Sequence, residues 1–380
     1  MTFAPATGVH SFADKWKRLH WGIITLLCAL AAIGVVMHLS VTGGAWDGRP
    51  VSHAVRFIVV LALAMGLAFI DLRFWLAIAY PLYGLSLLLL VAVELVGATH
   101  MGATRWLDFG PVSLQPSEFM KIALVLALAR YYHQLDPRAA SGVLALIPPA
   151  LMIGAPVALV MKQPDLGTSL LLAGTGAGVM FLGGMRYRYI AVAAVVAIAG
   201  AFYAYEFKLH DYQRDRIATF LDPGADPLGA GYHVAQSKIA IGSAGVFGQG
   251  YQKGSQSQLD FLPEKHTDFI FTMITEEFGL VGALLVLGLF TALLMLTMMV
   301  AMRARTMFGR LAASGVAVTL ALYVLINTAM VIGLAPVVGI PLPLLSFGGT
   351  AMLTVMTGMA LVLSVNIHRD YSAGSRGFLW

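Results

Sequence analysis

Apolar and polar positions alternate along this chain in long blocks rather than residue by residue. Predominantly apolar windows run at about 21–39, 55–70, 74–96, 118–132, 143–161, 166–184, 189–205, 268–302, 311–334 and 346–367. Short polar or glycine-rich connections separate them, except for one interval at 206–267. Windows near twenty residues, at ~1.5 Å of rise per residue, cross a hydrocarbon core of about 30 Å as helices rather than as strands of a barrel. The pattern therefore predicts an all-α integral membrane protein: one domain over 1–380, a polytopic bundle of about ten transmembrane helices, with a long extracytoplasmic loop before the eighth. The first window is too long for a cleavable signal core and lacks a small-residue cleavage site, so it reads as a helix that stays.

Composition agrees with that reading. With 59% hydrophobic and 11% charged residues, the 380-residue chain has too little polar surface to cover a soluble globule. Its one cysteine, Cys28, lies inside the first window, which excludes an intrachain disulfide and a thiol metal site. The net charge of +5 does not point to nucleic acid, because the basic residues sort by side. Thirteen lie on the side of the two termini and five on the other, with the remaining six in the long loop, whose length exempts it from the rule. Both termini are thus expected in the cytoplasm and the long loop outside. No Walker motif, HExxH or Cys/His cluster is present.

Several connections carry more than a turn. Residues 102–115 place Trp106, Leu107 and Phe109 among polar neighbours, as an interfacial or re-entrant segment would. The long loop is longer than a passive connector and holds turn signals at Asp222-Pro223-Gly224, Gly242, Gly245, Gly248 and Gly250. The spaced Gly174, Gly176 and Gly178 lie in an apolar helix with no preceding strand, so they predict close helix packing rather than a phosphate loop. GIPLPLLSFGGT, from Gly339, breaks the backbone at membrane depth, which is tolerated where it lines a cavity or is buried in protein.

The candidate chemistry centres on FLPEKHTDFIFTMITEEF, from Phe261. Asp268 stands at the predicted start of a membrane helix. At ~100° per residue, Thr272 and Thr275 fall within about 40° of it, whereas Glu276 is turned about 80° away and Glu277 about 180°. This predicts a polar stripe forming the wall of a hydrophilic cavity; the alternative is that Asp268 and Thr267 only cap the helix. His266 alone reads as a hydrogen-bonding loop residue. Glu118 and Lys121, three apart beside Ser117, are placed to pair, which favours a structural ion pair over substrate contact. Asp165 reads equally as a helix cap and as the partner of a basic residue across the cavity.

Six stretches carry a resemblance: GATRWLDFG from Gly102, QPSEFMK from Gln115, QPDLGTS from Gln163, DPLGAGYHVAQSKIAIGSAG from Asp226, GSQSQLDFLPEKHTDFIF from Gly254 and PVVGIPLPLLSFGGT from Pro336. In these motifs and their order the chain resembles the SEDS family (shape, elongation, division and sporulation), its elongation branch more than its division branch. The resemblance implies a peptidoglycan glycosyltransferase that polymerises lipid II, a lipid-pyrophosphate disaccharide, in the bacterial inner membrane. It implies Asp268 as the essential aspartate, here read as general base. Trp106, the Glu118–Lys121 pair, Asp165, Ser346, Gly348 and Gly349 match other recurrent positions, with His266 and Thr267 shaping the loop around Asp268.

An inverting transfer wants one base at the acceptor hydroxyl and positive charge at the leaving pyrophosphate. The outward cations from which a clamp could be drawn are Arg105, Lys121, Lys162, Arg216, Lys238 and Lys265. A divalent cation, magnesium or manganese, could share that role, though no carboxylate cluster calls for a metal. The implied partners are a class B penicillin-binding protein, the nascent glycan strand and membrane lipids, with no nucleic acid. Competing readings are a flippase for the same lipid, a division-branch enzyme with the same chemistry, and an inactive scaffold.

Overall fold

The apolar windows fold as helices, several of whose starts are fixed by polar caps. In the computed structural model, residues 11–46, 48–100, 103–108, 113–136, 142–189, 191–192, 195, 200, 214, 230–258, 261 and 265–370 are described. A short helix α1 (Phe12–Lys17) leads into α2 (Trp21–Val41), α3 (Arg49–Ala68) and α4 (Leu72–Val96). Next come α5 (Pro116–Gln134), α6 (Ile147–Lys162) and α7 (Leu166–Leu182). After the long loop follow α8 (Ala230–Ser243), α9 (Ser255–Gln258), α10 (Ile270–Arg303), α11 (Met307–Val331) and α12 (Gly349–Ile367). Asp71, Asp165 and Thr306 accept from the Arg73, Thr168 and Gly309 amides, each satisfying an orphan N–H for about 1 kcal/mol.

Among the described residues, seven helical segments are long and apolar enough to cross a membrane: α2, α3, α4, Leu144–Lys162 (α6 with its lead-in turn), α10, α11 and α12. The shorter α7 and the more polar α5 stand among them. The chain is a multi-pass membrane protein. Helices α5, α11 and α12 bury most of their surface at the centre, while α3, α4 and α6 turn Ile58, Leu88 and Leu151 outward toward lipid. Putting α5 at the centre explains how it can carry charge: its charged residues face protein. The predicted seventh span, 189–205, lies largely outside the described residues.

The glycines of α7 pack as the sequence predicts. A Cβ on Gly174 or Gly178 would fall 2.9 Å from Leu322 or 2.7 Å from Val318 of α11, and one on Gly176 would fall 2.4 Å from Ile153 of α6. The segment predicted as interfacial or re-entrant instead contains a small antiparallel sheet in the order β1 (Ala98–His100), β2 (Ala103–Asp108), β3 (Ser113–Leu114). The long loop, predicted as turns, contains α8 and α9.

The predicted continuous span at 268–302 is two helices. Gly279, at φ 67° and ψ −159°, breaks α10. The segment 245–250 docks on the break and exchanges four backbone hydrogen bonds with it. Leu280 and Val281 amides donate to the Gly245 and Val246 carbonyls at 3.1 Å each, and Gln249 and Gly250 amides donate to the Glu276 and Glu277 carbonyls at 2.9 and 3.0 Å. The loop thereby replaces helical partners that the break removes.

Candidate functional site

Asp268 lies in a turn before α10, not at its start. The helix begins at Ile270 with Phe269 as N-cap, whose side chain makes no cap bond. The polar stripe is corrected too. Thr272 is fully buried and its hydroxyl meets Ser237 of α8 at 2.7 Å, while Thr275 donates to the Phe271 carbonyl, so these threonines serve helix packing rather than a cavity wall. Glu276 and Glu277 are buried as well: the Gln256 amide donates to Glu276 at 2.7 Å, and the Ser40 hydroxyl donates to Glu277.

The turn is held from two elements. On α11, the Asn327 side-chain amide donates to the Asp268 carbonyl at 2.8 Å and to the Ile340 carbonyl at 2.7 Å. From the connection between α11 and α12, the Ser346 hydroxyl donates to the Thr267 carbonyl at 2.6 Å and the Phe347 amide to the His266 carbonyl at 2.8 Å. Ser346 Oγ also accepts from the Leu342 amide at 2.8 Å, closing that connection on itself. Every carbonyl from His266 to Asp268 is therefore fixed. The Asp268 carboxylate passes Gly339, where a Cβ would come within 3.4 Å of Oδ2; Gly339 sits at φ 70°, a conformation costly to other residues.

The same connection is held from α3. His53 donates to the Leu344 carbonyl at 2.9 Å, and Leu344 has φ 68°, strain of about 1–3 kcal/mol that its surroundings must offset. The His53 and His38 rings pack at 4.7 Å, and Arg56 lies 4.6 Å over the Phe347 ring. Arg56 is exposed, and its side chain borders Gly349 at the start of α12. Gly348 is the N-cap of α12 and leaves the helix without a side-chain cap. A guanidinium beside free helix amides is a positive pole within one residue of the Asp268 turn's anchor.

A second buried group stands one turn along α11. Lys121, 1% exposed, donates to Glu118 at 2.6 Å and to the Tyr323 hydroxyl, which itself donates to Glu118 at 3.0 Å. Tyr323 and Asn327 are four apart, so one helix face carries both groups. Asp165 caps α7 through the Thr168 amide and hydroxyl, and Arg105 lies 3.8 Å from its carboxylate. Arg105 also donates to the Gln163 and Pro164 carbonyls, so its charge is spent on that turn. Thus Asp165 is the helix cap and also lies beside a basic residue, within one turn rather than across a cavity.

The other predicted residues divide. Trp106 is half-buried on β2, and Lys162 is exposed at the end of α6. Lys238 is exposed on α8 with its chain laid on Gly333, and Lys265 is half-buried in the Asp268 turn. Arg216 lies outside the described residues. The structure commits Arg105 to the turn before α7 and Lys121 to Glu118 and Tyr323. It adds Asn327, Arg56 and His53, which the sequence reading passed over. Asn327 carried a signal, an amide inside an apolar helix; Arg56 carried only its place near the start of a span.

Residues 19–371 match the cell cycle protein family of FtsW, RodA and SpoVE. The chain belongs to this family. Within it, the chain is 43% identical to the peptidoglycan glycosyltransferase MrdB of Escherichia coli over 93% of its own length and 95% of that protein. A solved chain from a peptidoglycan synthase complex, described for its coordination of polymerization and crosslinking, superposes with a TM-score of 0.82 at 33% identity, covering 93% of this chain and 99% of that one. The rod shape determining protein RodA of Thermus thermophilus superposes with a TM-score of 0.69 at 32% identity, covering 94% and 99%.

Proposed function

We propose that this member of the FtsW/RodA/SpoVE family is a peptidoglycan glycosyltransferase of the elongation branch, which polymerises lipid II with Asp268 as general base. The observation that carries the assignment is the turn at Asp268. Its backbone is fixed by Asn327, Ser346 and Phe347, which sets the place of its carboxylate beside Gly339. A carboxylate held this way suits proton abstraction at a set position.

In the proposed step, Asp268 takes the proton of the acceptor 4-hydroxyl as that oxygen attacks the donor anomeric carbon. The new glycosidic bond forms as the bond to the pyrophosphate breaks, and the pyrophosphate leaves with the electron pair. A single displacement inverts the anomeric centre. Arg56 and the α12 amides supply positive charge toward the leaving group. An apolar groove of about 490 Å³ between α2 and α10, lined by Ile33, Met37, Ile274, Phe278 and Leu285, offers room for the lipid chain. Among the described residues, no three His, Cys, Asp or Glu side chains converge to hold a metal.

The basic residues favour cytoplasmic termini and an outward-facing Asp268 in the bacterial inner membrane. A class B penicillin-binding protein is the proposed partner, crosslinking the strand as it emerges. The test supplies purified protein, with that partner, with lipid II in detergent and measures polymer on gels. Glycan strands are expected; movement of lipid II between vesicle leaflets with no polymer would favour the flippase reading instead.

A further inference from the structure

Asp268 sits before the start of α10. At the opposite end of that helix, the ends of α1, α2, α10 and α12 border an open surface pocket of about 330 Å³. Its described lining includes Lys17, Arg18, Arg303 and Arg369, with His20 and Asn366, and no acidic side chain. Arg18 is already used: it donates to Asp370 at 2.8 Å, and its carbonyl accepts from Asn366 at 2.7 Å. Arg305, beside the pocket, lies 4.0 Å from the same carboxylate. Among the described residues, no carboxylate lies within ion-pair distance of Lys17, Arg303 or Arg369, though Asp370 is close enough to Arg369 to interact with it electrostatically. Three cations from three helix ends therefore line one surface pocket.

The depth of that space is set by aromatic rings. Phe12, Trp16 and Trp21 are exposed. Trp16 packs against Trp21 at 5.4 Å and on Phe69 at 6.2 Å, and Phe12 packs on Phe69 at 5.0 Å. Indole rings concentrate at the level of lipid headgroups, and Trp21 also lines the pocket. The short α1 thus lies along the interface, and the cations stand where phosphates do.

We propose that this pocket is a binding site for the headgroup phosphate of an anionic phospholipid, held by Lys17, Arg303 and Arg369. Basic pockets between membrane helices bind such headgroups by the attraction of each nearby cation. Two general effects also place cations here: the asymmetry that orients membrane proteins, and the negative ends of α10 and α12. Neither calls for a shared pocket lined from four helices. A site does.

The full chain in detergent is titrated with short-chain phosphatidylglycerol and with phosphatidylcholine of the same chain length, and bound lipid is counted by native mass spectrometry. The wild type should prefer phosphatidylglycerol. Arg303→Gln with Arg369→Gln should weaken that binding roughly 30-fold, and Lys17→Gln alone about fivefold, leaving phosphatidylcholine unchanged. Lys17→Gln, at an exposed position, keeps the test open if the double variant does not fold. Arg310→Gln removes a charge outside the pocket lining and should bind as wild type. Equal binding of the two lipids would overturn the proposal, as would an equal loss in Arg310→Gln. Displacement of phosphatidylglycerol by inorganic phosphate at similar concentration would also overturn it, showing a site for soluble anions.

Discussion

Gly248 and Gly279 meet backbone to backbone where α10 breaks. A Cβ on Gly279 would fall 2.3 Å from the Gly248 nitrogen, and one on Gly248 would fall 2.2 Å from the Glu277 carbonyl oxygen. Both glycines are left-handed, at φ 67° and 78°. The contact ties the segment 245–250 to the helix that begins two residues after Asp268.

Alanine at either position should therefore do damage by two routes, conformational strain of about 1–3 kcal/mol and a backbone clash that must be relieved by separating the segments. Thermal melts in detergent should show a large loss for Gly279→Ala and for Gly248→Ala. Gly288 lies in the same helix with nothing within 4 Å of an added Cβ. Gly288→Ala should be neutral or stabilising by up to about 1 kcal/mol.

Asn327 is expected to act by position. Asn327→Leu removes the donor to the Asp268 and Ile340 carbonyls without touching the carboxylate. A shift of the base by about 1 Å is enough to cost about 100-fold. Polymerisation rate should fall on that scale while lipid II affinity holds; an unchanged rate would show that the turn is fixed without it.

The Glu118–Lys121–Tyr323 group is expected to act on stability. Lys121→Met strands a buried carboxylate and should cost about 3–5 kcal/mol. Exchanging the pair, Glu118→Lys with Lys121→Glu, keeps the spacing and should recover much of that loss in a thermal melt. Turnover per folded molecule should follow the recovery.

At the other end of the bundle, the Arg18 guanidinium bonded to Asp370 holds its carboxyl below the ordinary value of 3.8. A carboxyl depressed in the folded state stabilises fully above its unfolded value and loses that contribution as pH falls through the folded one. Asp370 is 40% exposed, so screening keeps the effect under about 1 kcal/mol. Asp370→Asn should lower the melting temperature slightly near neutral pH, and the difference from wild type should vanish in acid and shrink in high salt.

The bundle was legible in the sequence because hydrocarbon imposes length and apolarity on every span, and α7 even announced its close packing through Gly174, Gly176 and Gly178. The break at Gly279 was not legible. A glycine in an apolar helix looks the same whether it packs or bends, and what replaces the lost hydrogen bonds comes from residues 245–250, distant in sequence. The stripe drawn through Thr272 and Thr275 failed for a related reason. Helical phase says which residues share a face, not whether that face meets water or, as at Ser237, another helix. Asp268 stood out because a carboxylate at a membrane boundary is costly, whereas the bonds that Asn327 and Ser346 make to the turn go to backbone carbonyls, which sequence does not pair with a donor.

The central claim is tested most directly by Asp268→Asn, which keeps the shape of the side chain and removes its basicity. With the transpeptidase partner present, lipid II should bind this variant as it binds wild type. Glycan polymerisation should fall by about 100- to 10,000-fold, the range of general-base catalysis. A variant that binds lipid II normally and polymerises at the wild-type rate would contradict the account.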